Sequence, residues 1–426
     1  MHVWLFTVGE PLPIENSQPR LLRTGILANL LADRGHEVVW WTSAFDHFRK
    51  RFHFSEDRTI EARAGLCLKL LHGCGYRSNV SLSRLVDHRQ IARKFAVQSH
   101  SEMKPDLILC SFPTIELSVE AVRYGHRERV PVVLDIRDFW PDVFVEIVPP
   151  ALRPLARIML HPLFRATREA CAGATAVIGI TPQFVEWGLR LAGRPGTRLD
   201  RDFPHGYVDE PPPTESADAA RALWRARGLQ PGDSIACFFG TIGRQFELET
   251  VIEAAAMLRE RCPSLKFVLC GSGDRLDRYR VLAHGLQNVL FPGWVQSAEI
   301  WTLMRLSLAG LAPYRSERSF TLSLPNKVIE YLSAGLPIVS SLDGAVRTLI
   351  AQYNCGLAYE NADAAGLAEN LCRLYEDAEL RSRLSTNADA TFRERFVANK
   401  VYGRMIEHLE TVCSEYRRSA TGGHEH

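Results

Sequence analysis

What the chain lacks narrows what it can be. It has no run of about 18 uncharged apolar residues, the length a membrane-spanning helix needs. The opening MHVWLFTVGE has no basic stretch, long apolar core or small-residue cleavage site, so it is expected to be a strand rather than a secretory signal. Neither sign of charge is in excess: 51 Lys and Arg against 49 Asp and Glu leave a formal net charge of +2. That argues against nucleic acid as a partner and makes any basic surface local. The 10 cysteines form no CxxC pair and no Cys/His ligand spacing, and Cys110, Cys237 and Cys270 sit within apolar strand-like runs. The pattern suits small buried thiols in a reducing cytosol better than disulfides or a zinc site. P-loop, HExxH and GxSxG motifs are missing, which removes the best-marked nucleotide triphosphatases, zinc proteases and hydrolases. No DxD-like cluster is placed to hold a divalent ion, so no metal is expected.

What is present is a repeated plan. At 426 residues the chain exceeds one ordinary core, and two or three domains are expected. Residues 3–8 form an apolar run of strand length, followed by a glycine- and proline-rich loop, a helical pattern over 20–34 and a second strand at 37–42. Further strands are expected at 105–112, 130–135 and 174–180, with helices between them. At 200–215 a turn-like His205-Gly206 and a three-proline run read as a linker. The plan then restarts: a strand at 234–239, the glycine loop Gly240-Thr241-Ile242-Gly243, a helix at 247–260 and a strand at 265–270. Each half is therefore an α/β Rossmann-like domain, and a cleft between the two is the default site. A dinucleotide reading of Gly271-Ser272-Gly273 fails, because the third glycine is missing and no acidic residue tips the second strand of either unit.

The stretch at 319–343, SFTLSLPNKVIEYLSAGLPIVSSLD, reads as a polar loop, a helix ending at Gly335 and a short buried strand. A loop feeding a helix N-terminus collects unpaired N–H groups at the positive end of the helix dipole, which favours phosphate. Lys327 adds a cation in the first turn, and Glu330, three residues on, offers a carboxylate to sugar hydroxyls on roughly the same face. Val328, Ile329, Tyr331 and Leu332 are ordinary core residues, so the spacing alone is equally compatible with a structural role.

Two further segments carry charge in a pattern. FDHFRKRFHFSEDR interleaves phenylalanines with Arg49, Lys50 and Arg51, which suits an anionic lipid surface or an acceptor pyrophosphate as well as a solvated loop. Residues 148–168 look like one amphipathic helix, limited by Pro154 and Pro162. At the tip of the 130–135 strand, Asp135, Arg137 and Asp138 sit where ligands dock in such sheets. The competing reading is a structural ion pair beneath the loop.

Taken jointly, RTGILANLLADRGHEVVWWTS, LDIRDFWPD, HGYVD, FFGTIGRQFELETVIEAA, KFVLCGSGD, NVLFPGWV and LPNKVIEYLSAGLPIVSS make the chain resemble the retaining GT-B glycosyltransferases of family 4, in the branch that builds bacterial O-antigen, capsule and exopolysaccharide. The resemblance implies a GT-B fold of two Rossmann-like domains facing each other across a cleft. Residues 1–205 would bind the acceptor, 206–385 the nucleotide-sugar donor, and 386–426 would be a helix crossing back to the first domain plus a disordered tail. It places Gly9, Gly240, Thr241, Gly243, Gly271, Trp294, Val295, Ser323, Asn326 and Glu330 at the donor, with Glu330 holding the ribose. Asp138, Arg244 and Lys327 are the implied catalytic groups, and Arg49, Lys50, Arg51, Asp135 and Arg137 lie on the acceptor or membrane side. Two departures stand out: the family's first motif glutamate falls on Leu322, and the usual lysine after Arg244 is missing, with Glu247 and Glu249 nearby. The expected activity is transfer from a UDP- or GDP-sugar to a glycan, lipid-linked in the first reading, without metal or other cofactor. Its expected setting is the cytoplasm, with peripheral contact to the inner membrane. A sugar-nucleotide epimerase of similar fold and a catalytically silent binding or scaffold protein are the alternatives.

Overall fold

The computed structural model describes residues 1–14, 21–79, 81–208 and 210–422. Part of the loop after the first strand, Asp209 of the HGYVD segment and the last four residues of the GGHEH tail lie outside the described residues. The chain divides into two compact units, Met1–Pro204 with Asn399–His426, and His205–Ala398.

The first unit is built on an eight-stranded sheet. In chain order its strands are β1 His2–Phe6, β2 Glu37–Ser43, β5 Arg58–Arg63, β6 Leu66–Leu71, β7 Leu107–Phe112, β8 Val132–Ile136, β9 Ala176–Gly179 and β10 Arg201–Asp202, while β3 Phe45–Asp46 and β4 Arg51–Phe52 pair apart as a small hairpin. The order across the sheet is β10-β9-β8-β7-β1-β2-β6-β5, parallel except for the antiparallel β5–β6 pair. Strands buried on both faces read as unbroken apolar runs, and β7, LILCSF, is buried at every position. Trp4, Phe6, Trp41, Phe95 and Tyr124 pack edge-on or tilted at centroid distances of 4.6–6.4 Å, an aromatic core under β1 and β2.

Here the sequence expectation needs two corrections. No strand was expected over 45–63, yet β5 forms there and pairs with β6, which spacing had not revealed. The single helix expected over 148–168 is in fact a turn at Pro150–Leu152, a helix Arg153–Met159 and a second helix His161–Gly173. Pro154 and Pro162 each sit at a helix start, the place where a missing N–H does no harm.

The second unit holds β11 Ser234–Phe239, β12 Leu265–Cys270, β13 Val289–Gly293, β14 Ala309–Ala312, β15 Ile338–Ser340 and β16 Gly356–Ala358. All pairs are parallel, in the order β13-β12-β11-β14-β15-β16. The order reverses between β11 and β14, and in the first unit between β1 and β7; the carboxyl ends of those strands border the crevice where open α/β sheets bind ligands.

The helix Thr214–Ala226, hidden behind the proline run of the linker, also belongs to the second unit. So does Ala378–Arg395, most of which had been expected beyond the domain's end at 385: it packs on the helix Asn326–Ser333, and the boundary falls after Ala398 instead. The last helix, Ala398–Gly422, returns to the first unit. His408 bonds the carbonyl of Leu199 at 3.0 Å, Arg198 pairs with Glu415 at 2.9 Å, and Arg417 pairs with Asp106. Among the described residues, no helix is long and apolar enough to cross a membrane.

Candidate functional site

In the second unit the switch-point strands bring together most of the residues that the motifs singled out. Gly240 follows β11 directly and Gly271 follows β12, with φ values of +146° and +137° that side chains rarely adopt. A Cβ on Gly271 would lie 1.8 Å from the Gly240 carbonyl oxygen, so the two loops interlock through bare backbone. Ile242 N–H donates to Ser272 O at 2.9 Å and Gly271 N–H to Gly293 O at 2.7 Å, which ties the turn after β13 to the same edge. Gly271 thus serves first as a packing glycine. Beyond Gly293, Trp294 stands 67% exposed while Val295 is buried.

The helix Asn326–Ser333 is pinned to the sheet by Tyr331. Its hydroxyl donates to Leu311 O at 2.9 Å, and its ring lies flat on Gly310, where a Cβ would come within 2.3 Å of it. This seating aims Lys327 inward. Its ammonium lies 3.6 Å from the Phe238 ring centroid and 4.0 Å from that of Phe246. Nζ has no hydrogen-bond partner among the described residues, and a Cβ on Gly240 would be 3.3 Å from it. Burial pushes this ammonium well below the usual lysine range. Cation–π contact offsets only part of the lost hydration, so the group is poised for an anion on the glycine loop. Glu330, one turn on, is 2% exposed. Ser323 is also buried, while Asn326, Thr241 and Arg244 are exposed and Gly243 is buried. The Arg244 side chain, 80% exposed, has Asp274 at 3.9 Å. No side chain caps the helix at its Pro325 end.

Arg315, just past β14, had no place in the sequence reading. Its Nε donates to the Arg244 carbonyl at 2.7 Å and its Nη1 to Glu247 at 3.3 Å, so it fixes the end of the glycine loop. Glu247, where the missing lysine invited attention, is 8% exposed and also accepts from Ala362 N–H at 3.0 Å. Its role here is to join loops. Only position at the switch point could have flagged Arg315 in the sequence.

In the first unit the Asp135, Arg137 and Asp138 segment divides into two roles. Asp135 has no exposed surface: Arg23 holds it at 2.9 and 3.1 Å, and Arg137 Nε donates to it at 2.8 Å. Arg23 also donates to Phe203 O and Pro204 O, while Arg137 pairs with Glu10 and reaches Thr24 Oγ1 at 3.1 Å. Burial opposes the charged form of Asp135, yet the two guanidiniums outweigh it and keep the carboxyl below its usual range. Asp135 and Arg137 are thereby joined in one network with Arg23, Glu10 and Thr24. Asp138 sits apart from it. It accepts from Phe139 N–H at 2.8 Å, and burial pushes its carboxyl above the usual range.

Around Asp138 lies a cluster that sequence spacing missed, because its members come from three distant segments. The Arg84 guanidinium lies 4.6 Å over the Trp140 ring and 5.4 Å over that of Tyr76. His47 Nδ1 is 2.6 Å from Tyr76 Oη, and Lys50 Nζ is 4.8 Å over the same ring. Of the basic trio at 49–51, Lys50 thus faces this cluster, whereas Arg49 and Arg51 are exposed in the β3–β4 hairpin. His88, 2% exposed, stacks on Trp140, and neither of its ring nitrogens has a hydrogen-bond partner among the described residues. Burial, with Arg84 and His47 adding repulsion, pushes the His88 imidazole down to about 3. Gly9 belongs here too: a Cβ added to it would lie 3.3 Å from Cβ of His47.

The architecture is that of the GT-B glycosyltransferase structures. Sucrose-phosphate synthase from Thermosynechococcus elongatus superposes with a TM-score of 0.71 at 18% identity, over 97% of this chain and 99% of that one. Alr3699/HepE from Anabaena, in complex with UDP and glucose, gives 0.65 at 16% identity, over 96% and 100%. Residues 221–391, which contain the glycine loops, Lys327 and Glu330, match the family of glycosyl transferases group 1. The chain is 28% identical over 226 residues to the alpha-D-kanosaminyltransferase of Streptomyces kanamyceticus, covering 52% of this chain and 57% of that protein. To the D-inositol 3-phosphate glycosyltransferase of Salinispora arenicola it is 28% identical over 234 residues, 51% of each chain. The chain spans about half the length of these curated relatives.

Proposed function

We propose that this protein is a glycosyltransferase that moves a hexosyl or N-acetylhexosaminyl group from a UDP- or GDP-sugar to a lipid-linked glycan, with retention of anomeric configuration. The observation that carries the reading is Lys327: a buried ammonium with no hydrogen-bond partner among the described residues, directly beneath Gly240 in the segment matched by the group 1 family. Alr3699/HepE was crystallised with UDP and glucose on the same fold, which supports a nucleotide-sugar as the donor.

Transfer passes through an oxocarbenium-like state while negative charge grows on the departing diphosphate. Lys327 and Arg244 neutralise that charge, so no divalent ion is required. Glu330 accepts the ribose hydroxyls, and Trp294 with Val295 frames the base. The leaving phosphate oxygen takes the acceptor's proton, and Asp138 orients the acceptor hydroxyl. The setting is cell-surface polysaccharide synthesis at the cytoplasmic face of the inner membrane.

A thermal-shift panel of nucleoside diphosphates and their sugars, with and without a chelator, tests the donor site, since a ligand of the folded state raises apparent stability by mass action. A selective, chelator-resistant shift that is lost in Glu330→Ala and Lys327→Ala is expected. Unchanged donor affinity and turnover in both variants would sink the proposal. Turnover with a lipid-linked glycan, set against donor incubated alone, separates transfer from epimerisation and from silent binding.

A further inference from the structure

The first unit exposes an apolar face that its own core leaves uncovered. After β8 and the helix Asp142–Glu146, the turn Pro150–Leu152 and the helix Arg153–Met159 bury no residue at all. Ile147, Leu152, Leu155, Ile158 and Met159 are 52–73% exposed. They are five of the sixteen large apolar side chains that the described residues expose, gathered within 13 positions, whereas the others are scattered. Leu152, Leu155, Ile158 and Met159 recur at helical spacing, so they form one stripe. Isolated exposed apolar residues need no explanation, but a contiguous stripe does.

Charge identifies the occupant. From Ile147 to Arg168 the chain carries four arginines, Arg153, Arg157, Arg165 and Arg168, and no acidic residue. All four are exposed, and the nearest carboxylate to Arg157 is Asp142, at 4.0 Å. An apolar stripe fringed by arginine matches the boundary between acyl chains and anionic head groups. A second copy of the chain fits less well, because a twofold contact would set this arginine fringe against itself. Nucleic acid offers nothing to the stripe. The hairpin at 49–51, expected on the membrane side, is a poorer anchor: Phe48 is its only large exposed apolar side chain, and Lys50 is held by Asn79.

We infer that the face spanning Ile147–Arg168 docks the first unit on an anionic bilayer, with the helix Arg153–Met159 lying in the interface plane. The segment begins seven residues after Trp140, so the bilayer lies next in the chain to the Asp138 cluster. The inference deepens the proposed function, on whose lipid-linked acceptor it rests, by naming the surface that meets the lipid.

Cosedimentation of the full chain with vesicles of phosphatidylglycerol and phosphatidylcholine in equal parts tests it, alongside vesicles of phosphatidylcholine alone. The mixed vesicles are expected to bind the protein and to release it at about 1 M salt, where the Debye length falls to about 3 Å. Arg153→Glu with Arg157→Glu should lower the partition coefficient by about fivefold or more per arginine. Leu155→Ser with Ile158→Ser should abolish binding while leaving the thermal melt nearly intact, because both side chains are more than half exposed. Vesicle binding that neither pair reduces overturns the inference. So does an absence of vesicle binding joined to a concentration-dependent dimer that the serine pair dissociates. A nucleoside diphosphate shift measured on the same samples keeps the two readings apart: a retained shift without vesicle binding refutes the face alone, and vesicle binding without any shift refutes the donor site alone.

Discussion

A Cβ placed on Gly240 would lie 3.3 Å from Nζ of Lys327, although 87 positions separate the two residues in the chain. The glycine loop therefore roofs a buried ammonium with bare backbone, and anything bound on the loop comes within reach of the charge. Replacing Lys327 by Met keeps the chain's bulk and removes a desolvated cation that no hydrogen bond among the described residues satisfies. Thermal stability without ligand should stay level or rise. The nucleoside diphosphate shift should disappear, and kcat/KM should fall about 10²- to 10³-fold. Lower stability with an intact ligand shift would assign Lys327 to packing instead.

Gly271 tests the interlocked loops. Alanine there would push a Cβ to 1.8 Å from Gly240 O at a φ of +137°. A loss of about 1–3 kcal/mol in urea unfolding is expected from the backbone strain alone, together with weaker donor binding. If Gly271→Ala behaved as wild type in both assays, the loops would be shown to yield without consequence.

Asp135 separates scaffold from chemistry in the first unit. Asp135→Asn leaves the Arg23 guanidinium, 2% exposed, facing an uncharged partner. Breaking such a pair should cost about 3–5 kcal/mol in denaturant unfolding. The donor-induced shift should persist, because the residue serves the first unit. A stable variant with lost turnover would return Asp135 to the acceptor side.

His88 gives a pH signature. Its imidazole has a folded value of about 3 against an ordinary 6.5. A depressed value means that the unfolded chain binds the proton first, so stability is fully present above pH 6.5 and is lost as pH falls toward 3. Between about pH 7 and pH 4.5, the urea midpoint should fall less steeply in His88→Leu than in wild type. His47, pushed down to about 4 by burial and its cationic neighbours, maintains part of the slope. An unchanged slope would mean that His88 takes up its proton alike in the folded and unfolded chain.

The strands that spacing revealed are those whose burial makes them continuous apolar runs: β11 and β12 lie at their expected residues, 234–239 and 265–270. β5 escaped because RTIEAR is exposed at four of its six positions and owes its form to pairing with β6. The helix Thr214–Ala226 escaped because prolines just ahead of it read as linker, although proline is at home before a helix.

At the site, local spacing carried Gly240, Lys327 and Glu330, whose placement follows from one loop and one helix start. It did not carry the cluster of His47, Tyr76, Arg84 and His88 beside Asp138, nor Arg315.

The sequence by itself determined two α/β units of parallel strands, with glycine turns at their carboxyl ends and a lysine at the head of a short helix. Apolar runs, turn residues and helix starts act within a few positions, so they are legible in linear order. Only the tertiary structure decided what each charge does. Asp135 is taken by Arg23 from 112 positions away, Lys327 is enclosed by the rings of Phe238 and Phe246, and the Arg153–Met159 helix is left with its apolar stripe facing outward. Pairing and burial depend on which distant segments pack alongside, and no local spacing encodes that.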